Sequence, residues 1–242
     1  MPTGNSSSPS LQLDLDYDHC TFAALTSDNI SKLRTTSNPS VNSFNLTFTV
    51  DHSLLYNAGS GQFDFGVADT NEWAMPSGRT AGTLTVDGES MTVIPERSFT
   101  WYDRQWGPGA PVSGNWTWFE LHLPSDVKAS IWAWANAGPE QHIRFATLQY
   151  PDGTAKVVPV TWSLSQTRSW LSPVTGVLYP QAWDITFPGN STITVSSALS
   201  DQEIPSDSLQ TCAYEGFVTV GGKFEGEPAR AFGLVEMVRL VK

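Results

Sequence analysis

Apolar and polar residues alternate along most of this chain with a period of two. Alternation of that kind puts successive side chains on opposite faces of a β-strand. Ser43 to Val50 (SFNLTFTV) and Gly61 to Val67 (GQFDFGV) are clear cases. Gly82 to Val86 is closed by Asp87-Gly88, a dipeptide that favours a two-residue hairpin turn. The same pattern predicts strands over 98–106, 115–123, 127–135, 143–150, 156–163, 182–187, 191–197, 214–220 and 230–240. Turn residues punctuate them: Pro124-Ser125-Asp126, Asp152-Gly153, Pro188-Gly189 and Gly221-Gly222. Only residues 18–33 leave room for a short helix, and residues 1–10 read as a disordered Ser/Pro/Gly leader. Many short strands at regular spacing predict an all-β protein, an antiparallel barrel or sandwich. A soft boundary near Pro95-Glu96 separates a front part, 11–95, from a Trp-rich back part, 96–242.

The alternation becomes chemically specific at 115–135. One face of 115–123 carries Trp116, Trp118, Glu120 and His122, and the other carries Thr117, Phe119, Leu121 and Leu123. After the turn, Lys128, Ser130, Trp132 and Trp134 share a face, with Val127, Ala129, Ile131 and Ala133 opposite. A tight hairpin pairs Trp116 with Trp134, Trp118 with Trp132, Glu120 with Ser130 and His122 with Lys128. That register gathers four indoles beside a carboxylate and an imidazole, an arrangement suited to an aromatic pocket with a polar floor. A Trp ladder that only stabilises the sheet is the alternative, since such cross-strand pairs contribute ~0.2–1 kcal/mol each.

Trp101-Tyr102-Asp103-Arg104-Gln105-Trp106-Gly107 is the second dense stretch. Trp101, Asp103 and Gln105 share one face; Tyr102, Arg104 and Trp106 share the other. A carboxyl desolvated beside indoles has its pKa raised and becomes a candidate general acid. Arg104 between two aromatics can stack on them and present its planar fork. The competing reading is an ion pair between Asp103 and an arginine that fixes a strand junction.

Composition narrows the function classes. A net charge of −11 argues against nucleic acid and anionic membrane surfaces as partners. Hydrophobic residues make up 40%, enough for a sizeable core, yet no run is long and apolar enough for a transmembrane helix. Cys20 and Cys212 lie in no CxxC pair, which disfavours metal and redox readings; they are a disulfide candidate or two buried thiols. His19, His52 and His142 have no ligand spacing, so no metal site is expected. Sequons at Asn5, Asn29, Asn45, Asn115 and Asn190 favour a secretory route, whereas residues 1–10 lack an apolar signal segment, so a cytoplasmic location stays open. No nucleophile elbow, HExxH, P-loop or dinucleotide fingerprint is present.

At these residues the chain resembles the fungal and bacterial lipocalin-like family of carotenoid 1,2-hydratase, kievitone hydratase and the AttH-like proteins, and more distantly the fungal Diels-Alderases. The matching stretches are Leu55 to Gly61 with Phe63-Asp64-Phe65-Gly66, Met75-Pro76, Gly82-Thr83-Leu84, Trp101 to Gly107 and Trp116 to His122. Tyr179-Pro180 with Trp183, Tyr214-Glu215-Gly216 and Gly233 to Glu236 continue the match, so it covers about 40–242. The resemblance implies two lipocalin-like β-barrel domains, the first reading as incomplete, with an apolar ligand between or inside them. It implies no metal and no organic cofactor. Exposed edges of a half barrel would favour pairing with a second copy. The carotenoid hydratase branch has His where this chain has Arg104, and an arginine cannot donate a proton. The proton donor is therefore sought in Asp103, Glu120 or His122.

Three functions follow as expectations. The first is a cofactor-free hydro-lyase, a lyase of the hydratase or dehydratase kind, on a hydrophobic isoprenoid, polyketide or phenolic secondary metabolite. Its catalytic candidates are Asp103, Glu120, His122 and Arg104, and its substrate cage is Tyr102, Trp106, Trp116, Trp118, Trp132 and Trp134. The second is a pericyclase that folds a polyene for cycloaddition. The third is a non-catalytic lipocalin-like carrier of apolar ligands.

Overall fold

The computed structural model describes residues 12–39, 42–50, 53–135, 142–165, 168–189, 191–209 and 211–240. Among them every regular element is a β-strand or a single 3-10 turn. The all-β antiparallel class expected from the alternation is what the chain adopts. The leader at 1–10 lies outside the described residues. The chain divides into two compact units: one takes in the chain up to Ser53 with Met75–Tyr102, and the other takes in Leu54–Ala74 and the chain from Asp103 onward.

In the first unit, β1 (Asp14–Tyr17), β2 (Cys20–Ala24), β3 (Lys32–Ser37) and β4 (Ser43–Val50) form an antiparallel meander. No helix forms within 18–33. Asp28 Oδ1 accepts hydrogen bonds from the Ile30 and Ser31 amides at 3.0 Å each, and Asn29 takes φ 61°. This side-chain turn competes with helical hydrogen bonding and delivers the chain into β3. Ala24, Leu33 and Phe48 make a small core, with Phe22 and Tyr102 packed on it.

After β5 (Leu55–Tyr56) and β6 (Gln62–Phe65) comes β7 (Ala68–Val86), nineteen residues long. Its first part pairs with β5 and β6, ending at Leu55↔Ala74; its second pairs with β4, from Val50↔Gly78. Pro76 falls in the gap between these partners, where its missing N–H costs no bond in either ladder. Asp87 and Gly88, at φ 51° and 80°, make the expected hairpin turn into β8 (Glu89–Thr92). A 3-10 turn at Pro95–Arg97, the boundary drawn from composition, leads to β9 (Phe99–Trp106).

The second unit is built on β10 (Asn115–His122), β11 (Lys128–Ala135), β12 (His142–Gln149), β13 (Ala155–Pro159) and β14 (Thr161–Leu164). A short hairpin, β15 (Ser169–Leu171) with β16 (Leu178–Pro180), follows. Then come β17 (Ala182–Phe187), β18 (Ser191–Ser197), β19 (Glu203–Ile204), β20 (Ala213–Phe224), β21 (Glu227–Pro228) and β22 (Ala231–Arg239). The main sheet runs β13-β12-β11-β10-β22-β20-β18-β17-β14, a nearly closed antiparallel barrel. The expected strand over 156–163 is broken at Val160, between the two ends of this path. The barrel interior is filled by Phe119, Leu121, Ile131, Trp183, Ile185 and Val235 among others. The aliphatic face read from 115–135 is therefore the core face.

The cysteines do not form the candidate disulfide. Both are free thiols, Cys20 exposed at the start of β2 and Cys212 buried. The Cys212 sulfur instead lies 3.5 Å from a Glu203 carboxylate oxygen and 3.6 Å from the Tyr179 hydroxyl. Among the sequon asparagines, Asn29 Oδ1 accepts from the Leu13 amide at 2.7 Å and Asn45 Oδ1 from Arg34 Nε at 2.9 Å. Asn115 opens β10, while Asn5 and Asn190 lie outside the described residues.

Candidate functional site

The outer face of the barrel carries the chemistry. The β10–β11 register is the one expected, with Trp116↔Trp134, Trp118↔Trp132, Glu120↔Ser130 and His122↔Lys128. On the other side of β10, β22 sets Trp118 opposite Glu236, Glu120 opposite Leu234 and His122 opposite Phe232. Next to it, β20 sets Glu215 opposite Glu236. Because side chains alternate, all of these project from the same face.

The indoles are held by one another and by β6. Trp118 and Trp132 stack with centroids 5.6 Å apart and planes 20° apart. Phe65 meets Trp132 edge-on at 5.1 Å and Trp116 at 5.5 Å, and Phe63 lies 5.5 Å from Trp132. Offset and edge-on geometries match the ring quadrupoles. The Trp118 indole donates to Ser130 Oγ at 2.8 Å, and the Trp134 indole donates to the Asp64 carbonyl at 3.0 Å. The Trp116 indole donates to the Glu236 carboxylate. Trp132 Nε1 completes no hydrogen bond.

Five carboxyls converge on this face. Glu72 is 1% exposed and neither of its oxygens is hydrogen-bonded. Desolvation, then the nearby Asp103 and Glu236, push its pKa up to about 9. Desolvation raises Asp103 to about 6, with Glu236 adding to the effect. Glu120, 7% exposed, is raised well above the carboxylate range by burial and then by Asp103, Glu215, Glu236 and Glu72. Burial raises Glu236, opposed by its bonds to Trp116 and Glu215. Glu215 is raised to about 8 by desolvation of its carboxyl and then by Glu236, with which it shares a hydrogen bond. Close carboxyls that cannot all ionise must hold protons among them. At neutral pH Asp103 is mainly ionised while Glu72 stays protonated, and Glu120 is shifted toward its protonated form. An acid and a base side by side is the split that proton-transfer chemistry needs.

Asp103 and Glu120, distant in sequence, thus come together. Trp116, Trp118, Trp132 and Trp134 join them. His122 stacks on Phe232 at 4.9 Å, beside the buried Lys128, whose ammonium pairs with Asp126. Tyr102 packs in the small core of the first unit, 5.1 Å from Phe22. Arg104 is exposed, and the Trp106 ring is 52% exposed while its carbonyl accepts from Thr70 Oγ1 and Asn71 Nδ2. Asp64 is exposed on β6. The groups that set the ionisation of Asp103 are burial and Glu236. Glu72, Glu215, Glu236, Phe63 and Phe65 are not among the site residues expected from the sequence, although all but Glu72 lie in the stretches that carry the family resemblance. A Glu inside the apolar strand Gly233-Leu-Val-Glu-Met was the available signal for Glu236. Among the described residues no group of three or more His, Cys, Asp or Glu is arranged to hold a metal ion.

A family model described as AttH-like matches residues 4–238. The chain is 40% identical over 237 residues to kievitone hydratase of Fusarium solani subsp. phaseoli, covering 97% of this chain and 68% of that protein. It is 34% identical over 227 residues to dehydratase asqC of Emericella nidulans, covering 90% of this chain and 65% of that protein. The chain therefore spans about two thirds of the length of these relatives. The crystal structure of kievitone hydratase from Nectria haematococca superposes with a TM-score of 0.87 at 36% identity, over 94% of this chain and 71% of that one. An AttH protein from Nitrosomonas europaea shares the fold, with a TM-score of 0.78 at 20% identity over 95% of this chain and 71% of that one.

Proposed function

This chain belongs to the AttH-like family, and from that premise we propose that it is a lyase of the hydratase/dehydratase kind acting on a hydrophobic secondary metabolite. The observation that carries this reading is the cluster of carboxyls on a tryptophan face: Asp103 is raised to about 6, and burial and its acidic neighbours raise Glu120 well above its ordinary value. The relatives named as a hydratase and a dehydratase support the reaction class.

In the hydration direction, the Glu120 carboxyl gives its proton to one alkene carbon. The adjacent carbon becomes cation-like, and the π-faces of the stacked Trp118 and Trp132 stabilise it. Water attacks that carbon while the Asp103 carboxylate takes one of its protons. One C–H and one C–O bond form as the alkene π bond and one O–H bond of water break, and the other O–H of water becomes the product hydroxyl. The proton then held by Asp103 returns to Glu120 through the carboxyl cluster, restoring the starting state. Dehydration runs the same steps backwards, with Glu120 reprotonated as the C–H bond breaks. Glu72, buried and protonated, keeps a second proton within the cluster. Phe63 and Phe65 keep water from the indoles on the β6 side, which strengthens every electrostatic interaction there.

The test is Glu120→Gln and Asp103→Asn, assayed for water addition and loss on phenolic, isoprenoid and polyketide substrates. Each substitution is expected to lower kcat by about 10²–10⁴, the usual range for a lost general acid or base. Full activity in both variants would sink the proposal. A rate independent of pH, with no solvent deuterium isotope effect, would point to cycloaddition instead.

A further inference from the structure

The barrel of the second unit has a mouth that the proposed reaction does not use. Two adjoining cavities open there, of about 180 and 370 Å³, and Asn115, Leu164 and Arg239 line both. The smaller also holds Arg144, Thr117 and Trp162. Among the described residues no acidic side chain lines either cavity. Asn115, Thr117, Arg144 and Arg239 come from adjacent strands of one sheet, on the interior face opposite the indoles. Two guanidiniums therefore line one cavity of a protein whose net charge is −11.

Neither arginine has a carboxylate partner among the described residues. The Arg144 guanidinium lies over the Trp162 ring, 5.2 Å from its centroid. Arg239 Nη2 donates to the Met237 sulfur at 3.6 Å, a weak acceptor. Desolvation lowers Arg239 to about 10, with partial relief from the Tyr179 side. A desolvated cation without an anion is costly unless something supplies the charge. An arginine fork matches a carboxylate bidentately, and the aromatic and aliphatic walls at Trp162, Leu164 and Leu178 suit an apolar body. A dry apolar cavity of about 150 Å³ is enough for one benzene ring.

We propose that the barrel mouth is a second ligand site, which takes a small carboxylic acid with an apolar body, its carboxylate on Arg144 and Arg239 and its ring or chain against Trp162 and Leu164. The site is separate from the carboxyl cluster, because the barrel wall puts the two on opposite faces of the same strands. It does not depend on the lyase reading.

The full chain is titrated by calorimetry with 3-phenylpropionate and with its uncharged amide. Saturable binding of the acid is expected, with the amide about tenfold weaker or worse, because the fork loses its charged partner. Added salt should weaken the acid and spare the amide. Arg144→Gln should weaken the acid by about tenfold, and Arg239→Gln should weaken it too, while Glu120→Gln leaves it unchanged. Arg144 is exposed, so that variant keeps the test valid even if Arg239 does not tolerate substitution. No saturable binding, equal affinity for acid and amide, or an Arg144→Gln variant that binds as the parent does would overturn the proposal. A loss of binding in Glu120→Gln would instead move the acid to the carboxyl cluster and would equally overturn it.

Discussion

Glu215 and Glu236 face one another directly across β20 and β22 and share a hydrogen bond. Two like charges in directly opposed strand positions repel. The pair is compatible with the sheet because a proton lies between them: Glu215 donates, Glu236 accepts, and the Trp116 indole supplies a second donor to Glu236. The same logic extends inward to Asp103, Glu120 and Glu72, so the cluster behaves as a store of protons more than a set of charges.

The first expectation concerns stability against pH. Folding raises Glu72 to about 9, Glu215 to about 8 and Asp103 to about 6. The folded state then binds more protons than the unfolded one between the ordinary carboxylate range and about 9, so stability falls as pH rises through that window. A loss of 1 kcal/mol lowers Tm by roughly 2–4 °C in a chain of this size. Thermal unfolding from pH 5 to 9 should show Tm falling steadily, and Glu72→Gln should flatten the upper part of the curve. A Tm that climbs across the window would contradict the placement of these groups.

Catalysis should have its own pH signature. In the proposed reaction Asp103 must be ionised to accept a proton, so the rate is expected to rise with pH through about 6. Glu120 must be protonated, so the rate falls again once pH passes its raised value. The profile is a bell whose acidic limb lies near 6. Asp103→Asn should lower the rate and remove the acidic limb; an acidic limb that survives this substitution would assign it to another group.

Gly233 lies opposite Leu121 on β10, and a Cβ added to it would come 1.9 Å from the Glu120 carbonyl oxygen. That contact is with backbone and cannot be relieved by a rotamer change. Gly233→Ala should push β22 from β10 and displace Glu120, lowering Tm by several degrees and activity with it. Circular dichroism melts and an activity assay check it, and a variant with parental Tm would refute the packing argument.

Thiol reactivity reports the cysteines. One equivalent, Cys20, should react with a thiol reagent in the native protein, and a second, Cys212, only in denaturant. Both equivalents should appear without added reductant. Zero thiols in denaturant would restore the disulfide.

How much of this was legible beforehand depended on range. The strands Ser43–Val50, Ala182–Phe187 and Ser191–Ser197 end where their alternation ends. The hairpin register of β10 and β11 followed from the short turn between them, and with it the face holding Trp116, Trp118, Trp132, Trp134 and Glu120. By contrast, alternation left room for a short helix over 18–33, where the chain forms β2 and enters β3, because the turn that Asp28 organises leaves no mark in hydrophobic period.

The sequence by itself determined the all-β class, the two faces of each strand and the gathering of indoles, because these arise from a period of two and turns of two or three residues. Only the tertiary structure decided what stands beside Glu120. Glu72 on β7, Asp103 on β9 and Glu236 on β22 reach it through long-range strand placement, and Trp116 binds a carboxylate 120 residues away. Alternation says which face a side chain takes, but not which strand will be its neighbour. Ionisation, the property that makes this face chemical, depends on those neighbours and on the water they exclude.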